Sequence, residues 1–204
     1  MAFLTTITPN QQRGLTAVLS LAQTCQYEVA HTHWVTRLAL RFFDELYPLH
    51  HYGEEERYFL LCASLLHDIG WIEGWKAHHK SALQIILSTP LLPFNTRERM
   101  VIGSIARYHR KALPDMTQDP YSALSPGDRQ VVDKLAACLR VADGLDAGHK
   151  QRVKDITCRI YKHKISVKGI VEAPPDEEER GAMLKCDLLE RVYQRKFDLT
   201  WKLI

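Results

Sequence analysis

The stretch Ser64–Ala82, SLLHDIGWIEGWKAHHKSA, decides how the rest of the chain is interpreted. It ends an apolar segment on His67 and Asp68, turns at a glycine, and soon reaches His78 and His79. A histidine near a helix end is more often a capping or surface residue than a metal ligand. Imidazole and carboxylate groups are also ligands of divalent metal ions, so a metal site is the second interpretation.

The composition is typical of a soluble globular protein. The chain has 204 residues, of which 46% are hydrophobic and 25% are charged, with a formal net charge of +3. This length suits one domain with a small appendage, and the small charge does not favour nucleic acid as a partner. The longest apolar run, 59–66, is too short to span a bilayer, and no signal-peptide pattern is present. We therefore expect a cytoplasmic protein that does not bind membranes.

The five cysteines are scattered and form no CxxC motif. This spacing predicts buried free thiols in a reducing compartment and argues against a thiolate metal site.

The apolar pattern changes once along the chain. From Pro9 to about Val141 apolar residues recur at helical spacing, and Thr8 with Pro9 predicts the first helix start. Gly70 follows the end of the third predicted helix and predicts a left-handed cap.

After about residue 151 apolar and polar residues alternate, which predicts a hairpin, then one helix after Pro174, and a short final strand over 199–203. We predict a mainly α fold: a helical domain over 1–150 and a small α/β subdomain over 151–204.

Histidines and aspartates, which can bind metal ions, lie at the ends of predicted helices whose central residues are apolar. Helix ends can converge on one cleft in a bundle, and metal sites are built from facing helices. The set predicts a site for a divalent ion such as Mn, Fe, Ni, Co or Zn. Its members are His31, His67, Asp68, His78, His79, His109 and Asp143.

The order of these residues resembles that of the HD superfamily of metal-dependent phosphohydrolases, and the resemblance implies an HD-domain helical bundle. His31, His67, Asp68 and Asp143 match the four core metal ligands of that superfamily. His78 matches the next histidine of its multi-histidine subclasses, although His79 is equally suited, and His109 matches the following one. In that resemblance the additional histidines imply a second metal, with Asp68 bridging the two ions. The cofactor is therefore expected to be one or two divalent ions, and the residues do not distinguish among Mn, Fe, Ni, Co, Mg and Zn.

A closer similarity covers most of the chain. The strings HTHWVTRLALRFFDEL, LLHDIGWI, HHKSA, IARYHRKALP and KLAACLRVADGLDAGH are similar to the C-terminal HD module of the exopolyphosphatase/guanosine pentaphosphate phosphatase family. That family has its polyphosphatase active site in a preceding actin-like domain, which these residues do not contain, so polyphosphatase activity is not implied. The RKALP segment after His109 differs from the HE…DGxGYP run of cyclic-di-GMP phosphodiesterases and disfavours that substrate.

The resemblance implies a hydrolase that cleaves a phosphoester or phosphoanhydride bond of a nucleotide, an alarmone or another small phosphorylated compound. A metal-activated water would be the nucleophile, with Asp68 and His67 as catalytic residues. Charge develops on the phosphoryl oxygens, so nearby cations are candidates for substrate binding. Lys80 and Arg110 are the first candidates, followed by Lys76, Arg107, Lys111 and Arg140.

The sequence leaves two alternatives open. One is a non-catalytic, metal-containing module that binds polyphosphate or a nucleotide as a regulatory sensor. The other is a structural or interaction domain. The family resemblance also implies a homodimer.

Overall fold

The computed structural model describes residues 7–74 and 76–204. Its helical part contains α1 (Pro9–Thr24), α2 (Val29–Glu45), α3 (Tyr47–His50), α4 (Glu54–Leu66), α5 (His78–Ser88), α6 (Thr96–Arg107) and α7 (Pro126–Gly144). Short 3₁₀ turns cover Ile69–Glu73 and Tyr121–Ala123. The C-terminal part contains β1 (Val153–Ile160), β2 (Lys164–Val171), α8 (Asp176–Lys185), α9 (Asp187–Tyr193) and β3 (Lys196–Leu203).

The first helix begins where the sequence predicts it. The Thr8 hydroxyl oxygen accepts a hydrogen bond from the backbone N–H of Gln11 at 3.2 Å. The Gln11 side chain accepts one from the Thr8 N–H at 3.0 Å. Together they form a capping box, with Pro9 at the first helical position. Asn95 and Glu98 form an equivalent capping box at the start of α6.

Helix α4 lies at the centre of the helical part. Every residue from Tyr58 to Leu66 is buried, because α4 contacts α1, α2, α6 and α7. A helix surrounded by other helices needs apolar residues on all its faces, which explains the continuous apolar run in the sequence. His67 and Asp68 follow directly, so they extend from a helix that packing fixes on every side.

Among the described residues, no helix combines the length and apolar character that a bilayer crossing requires.

The C-terminal part is a three-stranded sheet with two helices. Strands β1 and β2 form the predicted antiparallel hairpin, and β3 pairs with β2 in parallel. The final strand begins at Lys196, three residues before the predicted start. The single helix predicted after Pro174 is wrong, since the chain forms α8 and α9 on either side of Cys186.

The sheet packs against the helical part rather than standing apart from it. Side chains of α2 cover the outer edge of β1, which would otherwise be open to pairing with another strand. The Trp34 indole N–H donates to the Val153 carbonyl oxygen at 3.0 Å, and the Cys158 backbone N–H donates to Glu45 at 2.6 Å. Helices α8 and α9 both contact α7. The predicted boundary near residue 150 stays a prediction, although this position is where helices give way to strands.

Gly70 serves a close backbone contact rather than the predicted left-handed cap. It lies within the 3₁₀ turn after α4, and the glycine with a left-handed backbone is Gly74, at φ 107°. A Cβ atom on Gly70 would lie 2.0 Å from the His78 carbonyl oxygen and 2.6 Å from the Ala82 nitrogen. Only glycine therefore allows the turn to lie directly against the first turn of α5.

Replacing Gly70 by alanine should separate this turn from α5. We expect Gly70→Ala to lower the free energy of unfolding by about 1–3 kcal/mol, as overpacking typically does. Urea denaturation followed by circular dichroism measures the change. Gly127→Ala is the matched control, because the nearest atom to its added Cβ, the Ser125 hydroxyl oxygen, is 3.9 Å away. Equal stability of the two variants would contradict the proposed role of Gly70.

Candidate metal centre

A first group of ligand atoms comes from the ends of three helices. His31 lies near the start of α2, His67 follows the end of α4, and Asp143 is in the last turn of α7. One ligand atom from each of the three lies within 4.8 Å of the others. Nε2 of His31 is 3.4 Å from Oδ1 of Asp143. All three side chains are buried, so the group is largely shielded from water.

A second group lies beside the first and is formed by Asp68, His78 and His109. Oδ1 of Asp68 is 3.1 Å from Nε2 of His78 and 3.4 Å from Nε2 of His109. Oδ2 of Asp68 is 3.5 Å from Nε2 of His67, in the first group. The two oxygens of Asp68 therefore face different groups, which is the arrangement that a bridging carboxylate needs.

Hydrogen bonds on Nδ1 orient three of the imidazole rings. His67 Nδ1 donates to the Ser64 carbonyl oxygen at 2.7 Å, and His109 Nδ1 donates to the Ala106 carbonyl oxygen at 2.7 Å. His31 Nδ1 is bonded to Oδ2 of Asp146 at 2.9 Å. A histidine that donates through Nδ1 keeps the lone pair of Nε2 for a metal.

Buried atoms without partners indicate that the residues fit a metal ion. Nε2 of His31, Nε2 of His67 and Oδ1 of Asp68 are buried and make no well-formed hydrogen bond within the described part of the chain. Leaving such groups unsatisfied is costly, and a divalent cation would satisfy all three. The mixed imidazole and carboxylate donors suit ions such as Zn, Fe or Ni.

The imidazoles around Asp68 keep its carboxylate ionised. Burial raises the pKa of Asp68, but the adjacent imidazoles of His67 and His78 outweigh burial. The imidazole of His109 acts in the same direction, so the pKa lies well below the ordinary value of an aspartate. An ionised carboxylate is the form that binds metals.

Asp143 and His31 stabilise each other's charged form. Burial raises the pKa of Asp143, but the Lys185 charge and the adjacent His31 bring it well below its ordinary value. Burial lowers the pKa of His31, but the adjacent carboxylates of Asp143 and Asp146 outweigh burial and raise it to about 10. The metal-free protein therefore carries a proton on His31 at neutral pH.

His79 is not part of either ligand group. Its side chain is buried, and its ring centroid lies 6.3 Å from that of His109. Burial lowers the pKa of His79 to about 4, and the nearby charge of Arg107 adds to the effect. The geometry therefore places His78, rather than His79, against Asp68.

The predicted substrate-binding cations have different surroundings. Nη1 of Arg110 is 3.3 Å from Nε2 of His78, so this guanidinium lies directly at the second ligand group. Nη1 of Arg107 is buried without a hydrogen-bond partner among the residues described. The remaining three lysines, Lys76, Lys80 and Lys111, are exposed.

Arg140 departs from the prediction that it binds substrate. Its side chain is 3% exposed and pairs with Asp187 at 2.8 Å. The same guanidinium donates to the Tyr108 carbonyl oxygen at 3.0 Å. These contacts join α7 to α9 and to the end of α6, so Arg140 has a structural role.

Sequence reasoning missed several residues that contact the ligands. Asp146 follows Asp143 by three residues, and this repeated carboxylate in DGLDAGH was the available signal. Lys185 on α8 pairs with Oδ2 of Asp143, and no local motif indicates it. The His149 ring stacks on His31, with centroids 3.8 Å apart and planes at 5°.

The Trp71 ring stacks on His78, with ring centroids 4.9 Å apart.

Metal binding should release the proton of His31. The pKa of about 10 keeps His31 protonated at neutral pH, and a coordinating nitrogen must be unprotonated. Metal affinity should therefore rise about tenfold per pH unit between about pH 6.5 and 8.5. Calorimetric titrations of metal-free protein in buffers of different ionisation enthalpy measure the released proton. A pH-independent affinity would contradict a charged His31.

Comparison with known proteins identifies the family. The family model described as Ppx/GppA phosphatase, domain III, matches residues 14–188. This match contains both ligand groups and extends through α8 to the beginning of α9. No curated protein matches the chain. Because the match covers most of the helical part and much of the C-terminal part, the chain belongs to the Ppx/GppA phosphatase domain III family.

Proposed function

We propose that the protein is an HD-type, metal-dependent phosphohydrolase. It cleaves a phosphoester or phosphoanhydride bond of a nucleotide, an alarmone or another small phosphorylated compound. The observation that carries this proposal is the pair of adjacent, largely buried ligand groups, which Asp68 connects through its two oxygens. Membership in a phosphatase family supports it.

The two groups would hold the metal ions. His31, His67 and Asp143 would bind one ion, and Asp68, His78 and His109 would bind the second. A divalent ion bound there lowers the pKa of a water molecule and polarises a phosphoryl oxygen.

Side chains of this protein would orient the attacking water and stabilise the charge on the phosphoryl oxygens. Asp68 is ionised, so a lone pair that does not bind metal can accept a hydrogen bond from the attacking water and orient it. Arg110 lies at the second group and can stabilise negative charge on the phosphoryl oxygens. Lys80, Lys76, Arg107 and Lys111 add positive charge along the same segments of the chain.

The test combines elemental analysis with a search for turnover. Protein purified without chelators is analysed for bound metals. It is then screened for phosphate release from nucleotides, alarmones and polyphosphate with Mn²⁺, Mg²⁺, Ni²⁺ or Co²⁺ added. We expect one or two metal ions per chain and turnover of at least one compound. A protein that stays metal-free even after reconstitution would overturn the proposal.

A metal-containing sensor is the second candidate. The matched family model describes one domain of a phosphatase, and a domain of this kind can bind a ligand without cleaving it. In that case the protein would hold metal and bind polyphosphate or a nucleotide, and no compound in the screen would be hydrolysed. Equilibrium binding of the same compounds to the metal-loaded protein distinguishes the two candidates.

A further inference from the structure

Lys185 connects the C-terminal part to the first ligand group. It is the last residue of α8, and its ammonium group donates to Oδ2 of Asp143. Oδ1 of the same carboxylate faces Nε2 of His31 at 3.4 Å. The two oxygens of Asp143 therefore have different partners. An ion bound through Oδ1 would leave Lys185 in contact with Oδ2.

Close packing of two glycines creates this contact. A Cβ atom on Gly181 would lie 2.4 Å from the Gly144 carbonyl oxygen, and one on Gly144 would lie 2.6 Å from the Gly181 carbonyl carbon. The backbones of α7 and α8 thus touch at this point. Lys185 lies one helical turn after Gly181, and Asp143 directly precedes Gly144, so the crossing brings the two side chains together.

A bound metal would change the role of the positive charge on Lys185. In the metal-free protein, Lys185 neutralises Asp143. A divalent ion at His31, His67 and Asp143 would share that negative charge and leave Lys185 with an excess positive charge. The Lys185 side chain is 24% exposed, so a ligand can reach it. Phosphoryl oxygens are strong partners for an ammonium group placed beside a metal ion.

The second ligand group has a cation in the corresponding position. Nη1 of Arg110 lies 3.3 Å from Nε2 of His78, the nitrogen that would bind metal. Metal binding would displace Arg110 from that nitrogen and leave its guanidinium beside the ion. One cation from α8 and one that follows α6 therefore lie at the two ends of the paired groups.

From this arrangement we infer that Lys185 is a substrate-binding residue, which contacts the oxygens of a doubly charged phosphoryl group together with Arg110. The inference rests on the proposed function and extends it. It makes the C-terminal part a contributor to the site, and it favours substrates with a terminal phosphate over internal phosphodiesters, because two cations match two negative charges.

Binding of inorganic phosphate tests the inference without requiring turnover. Calorimetry compares the wild-type protein with Lys185→Met, both loaded with the metal found by elemental analysis or with Mn²⁺. We expect the variant to keep its metal stoichiometry and to bind phosphate about tenfold more weakly or worse, as loss of a charged hydrogen bond implies. Lys185→Arg should restore most of the affinity, since it keeps the charge.

Lys150→Met is the matched control. Lys150 pairs with Glu177 of α8 at 2.9 Å, so this change also removes a positive charge and a contact with α8. It should leave phosphate affinity unchanged. An affinity of Lys185→Met within twofold of the wild type would overturn the inference. Loss of metal in proportion to loss of phosphate binding would also overturn it, since Lys185 would then act only by holding Asp143.

The two proposals can fail separately. If the wild-type protein hydrolyses a substrate and Lys185→Met retains its KM and phosphate affinity, the inference fails and the proposed enzyme stands. If no compound is hydrolysed but phosphate binding requires Lys185, the inference stands and the protein is a sensor.

Discussion

Replacing Asp68 by alanine is expected to lower hydrolysis at least about 1,000-fold, which corresponds to about 4 kcal/mol of transition-state stabilisation. Asp68 is the residue whose two oxygens face both ligand groups, at 3.1 Å from His78 and 3.5 Å from His67. Its loss removes a ligand of the second ion and the carboxylate that orients the water. Metal analysis of the purified variant should therefore show less than the wild-type content.

The variant should keep its helices, because Asp68 lies after α4 and the buried residues that pack this helix run from Tyr58 to Leu66. Far-ultraviolet circular dichroism checks this point. Asp198→Ala is the matched control, since Asp198 pairs with Lys164 on the sheet surface and should leave both metal content and turnover unchanged. Retained hydrolysis in Asp68→Ala would refute the assignment of the site.

The start of α1 and the buried course of α4 were predictable from the sequence because both depend on local chemistry. The Thr8–Pro9 start and the α4 apolar run are read from neighbouring residues alone. The choice between His78 and His79 was not predictable. Adjacent residues differ by about 100° around a helix, so the answer depends on how α5 is rotated by its packing. The structure turns His78 toward Asp68.

Contacts between distant segments were the part that the sequence did not indicate. Lys185 and Asp143 are 42 residues apart, and their pairing requires α8 to cross α7 at two glycines. Arg140 was predicted to bind substrate because it lies one turn before Asp143. Its partner, Asp187, is 47 residues away. The guanidinium of Arg140 pairs with Asp187 because α9 packs beside α7, and this contact cannot be read from neighbouring residues.

Replacing Asp146 should show how strongly metal affinity depends on a residue that holds a ligand in place without binding the metal itself. It is completely buried, and its Oδ2 holds Nδ1 of His31 at 2.9 Å. A carboxylate in this position fixes the ring and increases the basicity of the nitrogen that binds metal. We expect Asp146→Ala to weaken binding of the ion at the first group by about 10–100-fold. Competition with a chromophoric chelator measures that affinity.

Comparison with Asp146→Asn separates orientation from charge. The asparagine oxygen can still accept the His31 hydrogen bond, so this variant should keep the ring in place and lose only the carboxylate charge. Metal affinity should then decrease in the order Asp, Asn, Ala, while Asp198→Asn should match the wild type. The second ion should be unaffected in both Asp146 variants, because Asp146 contacts none of Asp68, His78 or His109 in the described structure. Equal loss of both ions would instead mean that Asp146 supports the fold through its bond to the Gln151 backbone N–H at 2.7 Å.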